Sequence, residues 1–161
     1  MKVQLYNSPV TYAIITDIYS KDEIEDIHNE LQSLDTLLVS GEFTGAARNT
    51  VGVSKKHNTG LFLDLHYKNQ RDQSTILTLN RRLFSPELKY ELSKGNWFFK
   101  YMDQTVHDST LVSHYQEGDY YKSHTDDSFI TAIFYTWKEP RTFEGGDLFF
   151  GDYKVPIENN C

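Results

Sequence analysis

His124 and Asp126, a histidine and an aspartate separated by one residue, are the side chains of this sequence best placed to bind one metal ion together. On an extended backbone, side chains two positions apart leave the same face, with Cα atoms about 6.5 Å apart. An imidazole and a carboxylate are ligands that suit Fe(II), for which two histidines and one carboxylate leave coordination positions open. The pair therefore predicts two ligands of an iron site, the alternative being that the two side chains simply hydrogen-bond each other.

The residues before this pair predict two short strands joined by a turn. Residues 111–115 are typical of a strand, Gly118 and Asp119 of a turn, and residues 120–124 of a returning strand. Asp126 is then expected just past the end of one strand of a β-sandwich.

The residues after the pair predict further strands. Residues 129–137 are rich in aromatic and β-branched side chains, as expected for a buried strand. The Glu144-Gly145-Gly146 sequence predicts a turn, since glycine adopts tight backbone conformations readily. A short strand is expected directly after it, over residues 147–150.

The order and spacing of these features resemble the Fe(II)/2-oxoglutarate dioxygenases of the prolyl 4-hydroxylase type. The matching pattern is Tyr115-x-x-Gly118-x-x-Tyr121-x-x-His124-x-Asp126, then Thr131 and Tyr135, then Gly145-Gly146-Asp147-Leu148. The resemblance implies that 2-oxoglutarate decarboxylation is coupled to O₂ activation and to hydroxylation of a C–H bond. It implies Fe(II) as the metal, 2-oxoglutarate as co-substrate and ascorbate as an optional addition. The implied substrate is a prolyl residue of a protein or peptide, with a small molecule as the alternative.

The same resemblance implies roles for four further residues besides the two metal ligands. Tyr115 and Tyr135 match positions whose hydroxyls lie near the co-substrate, Tyr135 toward its distal carboxylate. Tyr121 and Thr131 match positions that line the pocket. For each of these residues, ordinary packing in the core is the alternative interpretation.

The chain departs from the family pattern after the Gly-Gly turn. There the family places a second histidine ligand and, further on, a basic residue that pairs with the co-substrate, but no histidine follows His124 in this sequence. We therefore expect one domain over residues 1–161 that is truncated at the C-terminus, with the third ligand and the basic residue beyond Cys161. An unpaired strand edge would favour a homodimer. The alternative is a catalytically inactive jelly-roll binding module with an incomplete metal site.

Composition limits the partners and the compartment. The formal charge is −7, with 23 acidic and 16 basic residues, which argues against nucleic acid as a partner because such binding depends on Lys and Arg. A nucleic-acid demethylase on the same scaffold is disfavoured for that reason. One cysteine, no signal segment and no apolar run of about 20 residues predict a cytoplasmic protein without a membrane partner.

The elements elsewhere in the chain predict an α+β fold that is mainly β. We expect a double-stranded β-helix of the jelly-roll, cupin-like kind, braced by N-terminal helices. The other predicted elements are strands over 10–18 and 97–102, helices from Ser20, over 74–84 and from Ser85 to Gly95, and a loop over 40–59 with one strand near 50–54. Within that loop, Lys55 and Lys56 are expected to be solvated surface charges.

Overall fold

The computed structural model describes residues 1–105 and 107–161 and shows a mixed fold of short helices and antiparallel sheets. Its residues form two compact units. The first unit comprises Met1–Glu25, Arg82–Thr105 and Phe129–Cys161, and the second comprises Asp26–Arg81 and Val106–Ser128. The predicted mixture of helices and strands is confirmed, but the prediction that the fold is mainly β is wrong, because α- and 3₁₀-helices contain more of the described residues than strands do. The arrangement of the strands as a double-stranded β-helix stays a prediction, because the described strands form separate sheets of two or three strands.

The helices are short, and several continue into 3₁₀ turns. They are α1 (Lys21–Leu34), α2 (Leu63–Tyr67), α3 (Thr75–Asn80) and α4 (Pro86–Gly95). The strands are β1 (Lys2–Tyr6), β2 (Tyr12–Thr16), β3 (Val39–Ser40), β4 (Lys56–His57), β5 (Thr59–Phe62), β6 (Leu111–His114), β7 (Tyr120–Tyr121), β8 (Phe149–Phe150) and β9 (Tyr153–Lys154). No helix formed by the described residues has both the length and the apolar character needed to span a membrane.

In the first unit, β1 pairs with β2 and β8 pairs with β9, both antiparallel. Helix α4 packs near β1, and its buried face contributes Leu88 and Leu92 to a cluster with Phe99 and Met102. A smaller cluster contains Tyr12, Ile14 and Val155. Both clusters contribute to the apolar core of this unit.

In the second unit, β5 lies between β3 and β6 in a three-stranded antiparallel sheet. The remaining pair joins β4 to β7, so that Lys56 lies opposite Tyr121 and His57 opposite Tyr120. This pairing corrects the predicted hairpin over residues 111–124, because the two strands on either side of the Gly118 turn pair with different partners. A strand chooses its partner by side-chain fit over long sequence distances, which the local sequence does not record.

The predicted start of α1 is confirmed, and it is stabilised by an ion pair. The backbone N–H of Ser20 donates to Glu23 Oε2 at 2.7 Å, and the N–H of Glu23 donates to Ser20 Oγ at 3.2 Å, which is a complete capping box. The Arg82 guanidinium donates to both Glu23 carboxylate oxygens, at 2.6 and 3.0 Å. The hydrogen bond from Arg82 is the main reason that the pKa of Glu23 falls to about 2.

Replacing Glu23 by Gln is expected to destabilise the protein at neutral pH by about 1–2 kcal/mol, a partly exposed charged hydrogen bond being worth that much. Because the folded-state pKa lies below the ordinary value of 4.5, the carboxylate contributes fully above that ordinary pKa. Its contribution is lost as the pH falls toward the folded-state pKa. Urea unfolding of wild type and E23Q between neutral and strongly acidic pH should show two stabilities that converge in acid. D22N, in the same helical turn, is the matched control, and a gap for E23Q that does not change with pH would contradict the assignment.

The strand predicted over residues 97–102 is wrong. A 3₁₀ helix, Trp97–Gln104, occupies this segment, and its first turn is capped by Asn96 Oδ1, which accepts from the N–H of Phe98 at 2.9 Å. Phe99 and Met102, three residues apart, both face the core next to α4, as expected for three residues per turn. The preference of aromatic residues for strands depends on a neighbouring strand, so it gives no reliable signal here.

Two other predicted strands are also wrong. Residues 129–137 contain no strand, and Phe129 is 87% exposed, with its ring stacked on Tyr101. Residues 50–54 form a turn in which Asn49 Oδ1 accepts from the N–H groups of Val51 and Val53. An asparagine side chain that bonds nearby backbone groups competes with strand pairing.

Candidate functional site

The structure brings His124 and Asp126 together. His124 Nε2 lies 3.2 Å from Asp126 Oδ1, with 23% and 44% of the two side chains exposed. Both residues follow β7 in the second unit. The strand predicted over residues 120–124 ends at Tyr121 in the structure, so Asp126 lies five residues past it rather than directly after it. The two polar atoms face each other near the surface.

The other nitrogen of the His124 ring determines what Nε2 can do. Nδ1 lies 2.8 Å from the carbonyl oxygen of Lys122, and because a carbonyl only accepts, Nδ1 must carry a proton. In the neutral ring, Nε2 therefore presents a lone pair toward the acceptor oxygen of Asp126. Two acceptors at this distance repel each other unless a proton or a cation lies between them. An imidazole whose second nitrogen donates to a backbone carbonyl is the usual arrangement of a metal-binding histidine.

The separation of the two atoms fits two ligands of one divalent ion. Such ions hold nitrogen and oxygen ligands at about 2.1 Å, so two ligand atoms at right angles are about 3.0 Å apart. Within residues 1–105 and 107–161, no group of three or more His, Cys, Asp or Glu side chains is arranged to hold a metal ion. Of a set of two histidines and one carboxylate, the described residues bring one histidine and one carboxylate together here.

Strand β4 holds the backbone that carries the site. Beyond the β4–β7 pairs, the N–H of Lys122 donates to the carbonyl of Lys55 at 2.9 Å. The ammonium of Lys55 donates to the carbonyl of Ser123, also at 2.9 Å. The segment is thus fixed to β4 up to the residue before His124, which limits the positions that the imidazole can take.

The predicted turn before β7 is confirmed and is tied to the same strand. Gly118 has φ +82°, a conformation that glycine adopts at little cost. Asp119 accepts from the N–H of Gln116 at 2.9 Å and lies 2.7 Å from His57 Nδ1 on β4. The bond from Gln116 is the main cause, and the one from His57 a smaller one, of a lowered pKa of Asp119.

Tyr121 contacts His124 directly. Their rings stack with centroids 3.6 Å apart and planes 14° from parallel. The Tyr121 hydroxyl accepts from the backbone N–H of Ala47 at 3.1 Å, which fixes the far end of the ring. The imidazole is therefore held on one face by an aromatic ring and at one edge by a carbonyl.

The other three residues implied by the resemblance are in different places. Tyr115 belongs to the second unit and is 45% exposed. Burial of its hydroxyl end raises its pKa, with smaller contributions from Tyr121 and Asp119. Thr131 and Tyr135 belong to the first unit. Thr131 is exposed and Tyr135 half-buried, and their contacts with a co-substrate stay predictions.

The second unit contains an imidazole and a carboxylate that lie close together, and a buried ammonium lies in the same unit. No protein-family model, curated protein or solved structure matches the chain. His124 and Asp126 place a nitrogen and an oxygen 3.2 Å apart, and the ammonium places a positive charge in the same unit.

The ammonium is that of Lys56, and the prediction that this residue is a solvated surface charge is wrong. Lys56 is 5% exposed, donates to Thr44 Oγ1 at 3.0 Å and lies 5.2 Å from the centre of the Tyr121 ring. Burial lowers its pKa, and the nearby charge of Asp126 partly offsets that effect. Adjacent residues of a strand face opposite sides, so the two lysines of a Lys-Lys pair need not share an environment. The local sequence gives no signal for the burial of Lys56, which depends on the pairing of β4 with β7.

Proposed function

We propose that this chain is an Fe(II)- and 2-oxoglutarate-dependent dioxygenase of the prolyl 4-hydroxylase type, which hydroxylates prolyl residues of a protein or peptide and releases succinate and CO₂. The observation that carries the proposal is the 3.2 Å approach of His124 Nε2 to Asp126 Oδ1, with Nδ1 already bonded to a backbone carbonyl. The reaction class comes from the resemblance over residues 115–148. The proposal includes the jelly-roll arrangement, with which short antiparallel sheets are compatible.

In this proposal the side chains bind and orient, while the difficult chemistry belongs to the metal. Fe(II), when bound, supplies the activation of O₂, which amino-acid side chains do not perform. Asp126 supplies negative charge that favours a divalent cation, and His124 supplies a neutral nitrogen whose tautomer is fixed by the Lys122 carbonyl. The Tyr121 ring covers one face of the imidazole, so that face is shielded from water. Tyr115, Thr131 and Tyr135 are the proposed co-substrate contacts.

The test is a 2-oxoglutarate turnover assay on the whole chain. Purified protein is incubated with Fe(II), ascorbate, O₂ and ¹³C-labelled 2-oxoglutarate, with and without a proline-rich peptide. We expect labelled succinate in both reactions, more of it with the peptide, and a gain of one oxygen atom in the peptide mass. Succinate formation equal to that of a chelator-treated control would contradict the proposal.

A second candidate is a catalytically inactive jelly-roll binding module. It is favoured by the finding that, in the described part of the chain, no third His, Cys, Asp or Glu side chain joins the pair to form a metal-binding group. Two protein ligands hold a divalent ion less firmly than three, because each further ligand adds binding energy without a new cost of association. This candidate predicts no succinate in the same assay, even when Fe(II) is in excess.

A further inference from the structure

Three polar residues lie buried together in the second unit. Thr44, Lys56 and Asn58 are 3%, 5% and 7% exposed. Thr44 accepts from the Lys56 ammonium at 3.0 Å, and both Thr44 and Asn58 hydrogen-bond to the backbone of Gly41. The Thr44 hydroxyl in turn donates to the carbonyl of Gly41 at 2.9 Å. Buried polar groups are normally all hydrogen-bonded.

The Lys56 ammonium has more N–H donors than it has hydrogen-bond acceptors among the described residues. An ammonium carries three N–H groups, and Thr44 accepts one of them. Among the described residues, no carboxylate forms an ion pair with Lys56; the charge of Asp126 acts on the ammonium from beyond that distance, and the nearby ring of Tyr121 offers only its face. A buried cation is normally paired with an anion.

The Asn58 side chain is unsatisfied at both ends. Within the part of the chain that the structure describes, neither its Nδ2 nor its Oδ1 has a hydrogen-bond partner, and both atoms are buried. The carboxamide fits over Gly41, where an added Cβ would lie only 2.2 Å from Asn58 Oδ1. Its backbone carbonyl accepts from the N–H of Gly41 at 2.8 Å. The backbone of Asn58 is thus held in place, while its side chain forms no hydrogen bond within the described structure.

We infer that Lys56 and Asn58 form a binding site for the carboxylate of a small molecule. A carboxylate carries one negative charge and oxygens that only accept, so it would complement both the Lys56 ammonium and the Asn58 Nδ2–H₂ group. The Tyr121 ring contacts both Lys56 and His124, so the site adjoins the metal pair. On the proposed function, the ligand is the 2-oxoglutarate carboxylate that lies away from the metal. The identification of the ligand as 2-oxoglutarate rests on the proposed function. The carboxylate site itself does not, because it is inferred from the unsatisfied donors of Lys56 and Asn58.

The experiment is a calorimetric titration of the whole chain with 2-oxoglutarate, in chelator and again with Mn(II). We expect binding in both conditions, tighter with Mn(II), and K56M should weaken both by about 10- to 100-fold, the equivalent of one or two powers of ten in affinity. K68M removes the same charge from an exposed position of the same unit and should bind as wild type does. Inorganic phosphate, titrated in the same way, should bind more weakly than 2-oxoglutarate, and equal binding would overturn the assignment to a carboxylate.

N58A provides a second variant, which breaks no hydrogen bond because the Asn58 side chain makes none within the described structure. We expect N58A to keep the wild-type melting temperature and to bind 2-oxoglutarate about 10-fold more weakly. If K56M and N58A both bind as wild type does, the site is wrong and ordered water satisfies these donors instead.

The titration separates this inference from the proposed function. If 2-oxoglutarate binds in chelator through Lys56 but no succinate forms, the carboxylate site stands and the dioxygenase proposal fails. If succinate forms and K56M leaves the KM for 2-oxoglutarate unchanged, the dioxygenase stands and the carboxylate site fails.

Discussion

Replacing His124 by Ala is expected to abolish succinate formation from 2-oxoglutarate and to weaken binding of Mn(II) or Fe(II) by about 100-fold or more, since loss of even a supporting contact typically costs 10- to 100-fold. The variant removes the nitrogen that faces Asp126 and leaves one carboxylate to hold the ion. Folding should change little, because the imidazole is near the surface and, among the described residues, contacts the Lys122 carbonyl, Asp126 and the Tyr121 ring. Metal affinity is measured by calorimetry, and turnover by the labelled succinate.

H66A is the matched control for this variant. His66 is an exposed histidine on α2 of the same unit, and alanine suits a helix. H66A should bind metal and form succinate as wild type does. Wild-type turnover in H124A, or an equal loss in H66A, would end the assignment of His124 as a ligand.

Replacing Tyr121 by Ala is expected to weaken metal binding by about 10- to 100-fold, although Tyr121 is not itself a ligand. The ring stacks on His124 at 3.6 Å, so its loss frees the imidazole to turn away from Asp126. Y121F keeps the ring and loses only the hydroxyl that accepts from the N–H of Ala47. We expect Y121F to retain wild-type metal affinity and to lose about 1 kcal/mol of stability, the usual value of one such hydrogen bond.

The comparison of the two Tyr121 variants separates positioning of His124 from general stability. Metal affinity is measured by calorimetry at a temperature where circular dichroism shows both variants folded. If Y121F loses as much metal affinity as Y121A, the stacked ring does not position His124, and the hydroxyl matters instead. If neither variant loses affinity, the imidazole is oriented by the Lys122 carbonyl alone.

Elements with local signals were predicted well. Ser20 and Glu23 mark the start of α1 because each bonds the backbone of the other. Ser85 marks the start of α4 because its Oγ accepts from the N–H of Leu88 at 3.3 Å, and Pro86 is the first residue of the helix. Such contacts span three residues, so the sequence contains both partners side by side.

Elements that depend on distant partners were predicted poorly. Residues 120–124 were expected to return along residues 111–115, whereas β7 pairs with β4, far away in the chain. Residues 129–137 have the composition of a buried strand, but no strand forms there. Composition favours a strand only when another strand is available beside it, and that information is not local.

The sequence predicts the approach of His124 to Asp126 but not the other contacts of the candidate site, because those contacts depend on distant partners. The spacing of His124 and Asp126 sufficed to place them together, and the structure shows them 3.2 Å apart. The stacking of Tyr121 on His124 and the burial of Lys56 depend on the β4–β7 pairing. Asn58 gave no sign of its unsatisfied amide, because hydrogen-bond satisfaction is a property of the packed structure.

The most direct measurement of the central claim is anomalous diffraction from crystals of this chain grown without oxygen, with Mn(II) and 2-oxoglutarate. We predict an anomalous peak within about 2.2 Å of both His124 Nε2 and Asp126 Oδ1, the bond length of a divalent ion to such ligands. If these two side chains are bonded to each other, or turned apart, with no peak between them, then His124 and Asp126 are not ligands of a metal ion.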